Sequence, residues 1–151
     1  MQVRFAQPSD VAAIHGLIEE LANYERAPDA VINTPNALAE DLFQHNRCKA
    51  LVVEQQGQVV AFALYYFGYS SWKGRILYLE DIYVKEPFRN GGIGQLLFDR
   101  VVAEAKIEKV RRMDWQVLFW NEPALAFYRK NKAILDDEWV NGRLFFHNGD
   151  S

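Results

Sequence analysis

Leu79-Glu80-Asp81-Ile82-Tyr83-Val84, followed after a short loop by Arg89-Asn90-Gly91-Gly92-Ile93-Gly94, is the stretch that decides the fold. An apolar strand ends, Pro87 closes it off, and three of the nine glycines fall within four residues ahead of a helix. Glycines placed there let backbone N–H groups point inward around an anion, and the helix N-terminus adds partial positive charge. That chemistry suits a pyrophosphate. A tight strand-to-helix turn needing positive φ fits the same residues. Two familiar phosphate motifs are excluded. A P-loop needs Gly-Lys-Ser/Thr, whereas Gly94 precedes Gln95-Leu96. A dinucleotide fingerprint needs a third glycine where Leu97 stands, inside a β-α-β unit. An Arg-x-x-Gly-x-Gly turn after an apolar strand remains.

Working backward from this stretch, Arg75 to Val84 reads as a long strand and Gly68 to Gly74 as a turn carrying Trp72. Ala50 to Gln55 and Val59 to Phe67 form a hairpin about Gln56-Gly57. A helix is predicted around Ala37 to Gln44, after a loop from Tyr24 to Asn36 with two prolines. Val11, Ile14, Leu17, Ile18 and Leu21 recur at helical spacing behind an N-cap in Pro8-Ser9-Asp10, and Gln2 to Ala6 alternates as a strand. Forward, Leu97, Val101 and Ala105 mark the inner face of a helix reaching about Lys109. Asp114 to Trp120 is predicted as a strand. Asn121 or Glu122 opens a last helix with Pro123 in its first turn, and Gly142 to His147 closes as a short strand. This order gives an α+β fold: a mostly antiparallel sheet with about four flanking helices.

The 151 residues suit one domain over 1–151, and 50% hydrophobic content supplies a core. Net charge is −3, which disfavours a general nucleic-acid binder. The single Cys48 excludes an internal disulfide and every multi-cysteine metal site, and His15, His45 and His147 have no ligand spacing. No metal is expected. Neither a signal peptide nor a membrane span is apparent, so a soluble, cytoplasmic chain is expected. No Gly-x-Ser-x-Gly elbow appears and Cys48 has no neighbouring base, so a covalent nucleophile is not indicated.

With these residues in view, the sequence resembles the GNAT family of acetyl-CoA-dependent N-acetyltransferases. Arg89, Gly92 and Gly94 stand in that family's Arg/Gln-x-x-Gly-x-Gly/Ala loop. Leu79 to Val84 resembles its splayed central strand, and Trp120-Asn121-Glu122-Pro123 through Phe127-Tyr128 resembles its last helix. Leu21-Ala22-Asn23-Tyr24-Glu25, Phe62 to Phe67 and Tyr78-Leu79-Glu80-Asp81 are similar to the diamine (spermidine/spermine) acetyltransferases and their thialysine-acetylating relatives. After Phe127-Tyr128 the family usually ends its helix with a glycine. Here Asn131-Lys132 follows, with Asn131 expected as the left-handed stop, and the tail after Phe146 is shorter than in the diamine enzymes.

The resemblance implies acetyl-CoA as co-substrate, held by Ile82, Tyr83 and Val84 where two strands splay. It also implies contacts from Arg89, Asn90, Gly91, Gly92, Ile93 and Gly94 to the pyrophosphate, and from Asn121 and Tyr128 to the pantetheine arm and thioester. Asn121 fits equally as a helix cap. Lys106, Lys109, Arg111 and Arg112, or Arg129, Lys130 and Lys132, could meet the 3′-phosphate or form a solvated face. Glu80 resembles the water-mediated proton acceptor, and Tyr128 the donor to the departing thiolate. Glu80 and Asp81 are expected on opposite strand faces, and either could merely pair with Arg75 or Arg143. Tyr128 also fits a core tyrosine. Tyr24, Glu25, Trp72, Glu80 and Asp81 are the candidate acceptor contacts, with Glu19, Glu20 and Asp29 adding acid nearby. The implied reaction is direct acetyl transfer to a primary amine of a small cationic acceptor (diamine, polyamine or lysine analogue) by a homodimer. An acceptor such as an amino acid, drug or protein N-terminus, or a non-catalytic CoA-binding module, is the alternative.

Overall fold

The computed structural model describes residues 1–146. They fall into two compact units, Met1–Gln116 and a second beginning at Val117.

The first unit is built on a five-stranded sheet in the order β1 (Val3–Phe5), β2 (Lys49–Gln55), β3 (Gln58–Ser70), β4 (Gly74–Val84), β5 (Arg112–Asp114). All neighbours are antiparallel except β4 and β5, which run parallel. The β2–β3 turn has positive φ at both Gln56 (53°) and Gly57 (74°), the geometry that matches strand twist in two-residue hairpins. β3 continues to Ser70, past the expected end at Phe67. Gly68 stays in the ladder opposite Ile76, so the turn shrinks to residues 71–73. Ser70 Oγ accepts the Trp72 and Lys73 amides there, at 3.2 and 3.1 Å.

Helix α1 (Val11–Tyr24) and helix α2 (Pro35–Ala39), prolonged by a π-helical turn over Glu40–Gln44, cover one sheet face. Val11, Ile14, Leu17, Leu38 and Leu42 pack there with Val52, Phe62, Leu64 and Tyr83. Burying each such side chain contributes roughly 1.5–3 kcal/mol. Strand alternation turns Leu51, Val53, Ala61 and Ala63 the other way, and all are fully buried. Helix α3 (Ile93–Ile107) crosses β2, β3 and β4, burying Ile93, Leu97, Phe98, Val101 and Ala105.

Three local expectations are corrected. Asp10 does not cap α1 in the forward direction. Its buried carboxylate accepts the Gln7 amide at 2.7 Å and Arg4 at 2.7 and 3.1 Å, and Arg4 holds its pKa below the usual range. The second helix starts at Pro35, ahead of Ala37, because Thr34 Oγ1 accepts the Ala37 amide at 3.1 Å. β5 occupies Arg112–Asp114, whereas Asp114 to Trp120 was expected. Tyr78 opposite Asp114 is its last ladder pair, and Trp115 turns edge-on to Phe98 at 5.7 Å.

In the second unit, helix α4 (Glu122–Lys130) is capped by Asn121, whose side chain accepts the Ala124 amide at 3.3 Å. At its other end Lys132, with φ 64°, is the left-handed residue, and Asn131 keeps φ −86°. Asn131 stops the helix differently: its side-chain amide donates to the Phe127 carbonyl at 2.9 Å. The Lys132 and Ala133 amides then return to Arg129 and Tyr128 at 2.9 and 3.0 Å, closing a Schellman motif. Arg26 after α1 and Lys109 after α3 take the same left-handed position with the same pair of returning bonds. The strand expected over Gly142 to His147 is not formed in its described part, residues 142–146, where no partner completes a ladder. His147 lies outside the described residues.

Candidate active site

β4 has two unlike halves. From Ile76 to Tyr78 it is paired on both edges, by β3 and by β5. Beyond Tyr78, β5 departs, and Leu79–Val84 is left with β3 alone. This is where the resemblance implied a splay of two strands, and among the described residues β5 does not continue past Asp114. Val84 is partly committed, since its carbonyl already accepts Arg89 Nε at 2.8 Å.

The open half begins with a β-bulge. Leu64 faces Asp81 and Tyr65 faces Leu79, so Glu80 has no cross-strand partner. Bulges re-aim side chains, and this one breaks the two-sided alternation expected of Glu80 and Asp81. Burial, then the charges of Glu80 and Glu25, push the Asp81 carboxyl up to about 7. Burial raises Glu80, and burial with the Glu80 charge raises Glu25. Glu25, directly after α1, and Glu80 and Asp81 at the bulge of β4 are thus near enough for their charges to oppose one another. Removing a proton from any of them becomes easier once a cation arrives.

Of the other acids, Glu20 is engaged elsewhere, with Lys85 Nζ at 2.6 Å and the Tyr83 hydroxyl at 3.2 Å. Glu19 sits 3.5 Å from His15. Arg75 pairs with Glu108 at 3.2 Å and covers the Phe67 ring, so it neutralises neither Glu80 nor Asp81. Tyr66, against Tyr78 at 5.3 Å, is not singled out by the sequence, yet burial and then the Glu80 charge raise its hydroxyl pKa. Trp72 is not brought to this cluster. It is 81% exposed at the β3–β4 tip, eight residues along the strand from Glu80, roughly 25 Å at about 3.3 Å per residue.

The glycine loop leads directly into α3. Gly92 has φ 87°, with open space where a Cβ would stand, and Asn90 is also left-handed at 66°. Gly94 differs from expectation. It lies inside α3 without positive φ, and an added Cβ would meet only the Val84 side chain at 3.8 Å. The first amides of α3 have no intrahelical acceptor and carry the positive end of the helix dipole. A pyrophosphate fits this turn. Among the basic residues weighed for the 3′-phosphate, Arg112 is held by Asp114 at 2.8 Å and Arg129 stands 4.0 Å from Glu122.

Tyr128, in the second unit, is 6% exposed and meets Phe127 edge-on at 5.4 Å. Its carbonyl closes the end of α4.

Residues 14–132 match the model of the Acetyltransferase (GNAT) family. A thialysine N-epsilon-acetyltransferase from Bos taurus is 38% identical over 138 residues, covering 85% of this chain and 81% of the relative. Spermidine/spermine N(1)-acetyltransferase-like protein 1 from Homo sapiens is 35% identical over 141 residues, 88% of this chain and 20% of that protein. Among solved structures, an aminoglycoside acetyltransferase from an uncultured soil metagenomic sample superposes with TM-score 0.79. It is 18% identical and covers 97% of this chain and 96% of its own, a likeness of fold.

Proposed function

Because the chain belongs to the GNAT acetyltransferase family, we propose that it transfers an acetyl group from acetyl-CoA to a primary amine of a small acceptor carrying a second cation. The observation that carries this is the gathering of Glu25, Glu80 and Asp81 beside the open edge of β4. A diamine, polyamine or lysine analogue relieves the repulsion among these carboxyls, and a monoamine relieves it less. The name of the Bos taurus relative gives thialysine, a lysine analogue, as its acceptor.

Acetyl-CoA, when bound, supplies the activated acetyl group. The α3 N-terminus with Gly92 would cradle its pyrophosphate, and the open edge of Leu79–Val84 would hold its amide-bearing arm. An alkylammonium of pKa about 10.4 must lose a proton before it attacks, costing about 4–5 kcal/mol at pH 7. Glu80 accepts that proton through a water, and its raised pKa brings it closer to the task. Asp81 and Glu25 hold the far cation. Tyr128 donates a hydrogen bond as thiolate charge develops. Full proton transfer from a phenol of about 10 to a thiolate of about 8.5 is uphill, so the hydrogen bond is the contribution.

The test is thiol release from acetyl-CoA across an amine panel. Diamines and lysine analogues are expected to turn over well ahead of monoamines of equal length. Equal rates would remove the role of the carboxyl cluster, and binding of acetyl-CoA without release for any amine would leave a binding module. Tyr128→Phe is expected to lower turnover on the order of a hundredfold while acetyl-CoA affinity holds. Full activity in the folded variant would return Tyr128 to the core.

A further inference from the structure

The Arg89 side chain is engaged within the protein at Nε and over two aromatic rings. Its Nε donates to the Val84 carbonyl at 2.8 Å, and its guanidinium carbon lies 5.3 Å from the Tyr24 ring centre and 5.2 Å from that of Tyr83. Tyr24 is the last residue of α1, next to Glu25. Tyr83 and Val84 end β4. Arg89 itself opens the glycine loop. One planar cation thus touches the end of the helix that carries a cluster carboxyl and the end of the strand that carries the other two.

A second tie runs parallel to the first. Glu20, one helical turn before Tyr24, receives Lys85 Nζ at 2.6 Å and the Tyr83 hydroxyl at 3.2 Å. Lys85 begins the same connection, and its amide donates to the Val60 carbonyl at 2.8 Å. The span from Lys85 to Arg89 is therefore fastened to α1 at both ends.

We infer that Arg89 is a positioning residue whose side chain locks the Tyr24–Glu25 end of α1 to the glycine loop, coupling the amine side of the site to the pyrophosphate side. This rests on the acetyl-transfer reading for the meaning of the two sides. It gives the Arg89 side chain a role of its own beside the pyrophosphate contact that the resemblance implied for this residue. Guanidinium geometry is what the arrangement uses: a donor at Nε, and flat faces toward aromatic rings. Lysine keeps the charge and loses both.

The experiment is a double-mutant cycle of Arg89→Lys and Tyr24→Leu, with acetyl-CoA affinity read by calorimetry. Arg89→Lys is expected to weaken binding about threefold to tenfold. Tyr24→Leu, although remote in sequence from the loop, is expected to weaken it comparably, and the double variant to be no worse than Arg89→Lys alone. Tyr24→Phe, which keeps the ring, is expected to restore affinity. With a short diamine as acceptor, both single variants should raise its KM more than they lower kcat. Wild-type affinity in Arg89→Lys, or an effect of Tyr24→Leu that simply adds to it, would overturn the coupling. A shallower salt dependence of binding in Arg89→Gln, which removes the charge, than in Arg89→Lys would instead assign the side chain to the phosphates. Circular dichroism and melting curves establish that each variant is folded. Acetyl-CoA binding is read without any acceptor, so failure of every amine in the panel leaves this test standing.

Discussion

The two halves of β4 belong to one strand and do opposite work. Ile76–Tyr78 is flanked on both edges, and Ile76 and Leu77 are buried. From Leu79 onward one edge is open, a bulge interrupts the ladder, and two carboxyls replace apolar side chains. The closed half holds the sheet together, and the open half spends the stability so gained on unpaired backbone and crowded charge.

Leu77→Ala strikes the closed half and should give the largest effect. Leu77 is fully buried, so truncation is expected to cost about 2–5 kcal/mol in chemical denaturation. A loss under about 1 kcal/mol would mean that this half is not a packed core. Glu80→Gln strikes the open half. The folded state should be modestly stabilised at neutral pH, since burial disfavours the ionised Glu80, while turnover falls about tenfold to a hundredfold at pH 7. Part of that loss should return at higher pH, where free amine is more abundant. An equal loss at every pH would make Glu80 a binding residue only.

Asp81→Asn sharpens the contrast through pH. The folded carboxyl is held up to about 7 against an unfolded value near 3.9, so between those values the folded state binds a proton that the unfolded state lacks. Stability from this group is complete below about 4 and declines as pH rises toward about 7. The amide escapes that decline. Asp81→Asn should therefore stabilise more at pH 8 than at pH 4, by about 1–3 kcal/mol after allowance for solvent screening. Asp10 has the opposite sign: Arg4 lowers its pKa, so its contribution is lost as pH falls below the ordinary carboxylate range.

The open half was legible in sequence because its marks are local. An apolar run, a proline and a glycine cluster locate the strand end and the α3 N-terminus without knowledge of the rest. The bulge at Glu80 was not legible, since a register shift depends on which β3 residue stands opposite. The same limit explains β5: Asp114 to Trp120 reads as a strand, but a strand exists only where a neighbour pairs with it, and here that is Arg112–Asp114. The extent of β3 is hidden for a converse reason: Gly68 suggests a turn, and the ladder with Ile76 overrides it. The tie through Arg89 needs three segments brought together, and nothing in any one of them announces it. Tyr128 and Asn121 were placed correctly on and before α4 by helix spacing and by Pro123.

Helices α1, α3 and α4 all finish with a basic residue, Arg26, Lys109 or Lys132, in a conformation that glycine adopts freely. Each is exposed, and each retains a charge that favours the helix end while bearing about 1–2 kcal/mol of backbone strain. For directed evolution this is headroom held in reserve. Glycine at Lys109 or at Lys132 should raise the melting temperature modestly, with each left-handed turn relieved locally. A lineage so stabilised could absorb a costly change in the acceptor cluster, such as a new carboxyl beside Asp81, and still fold.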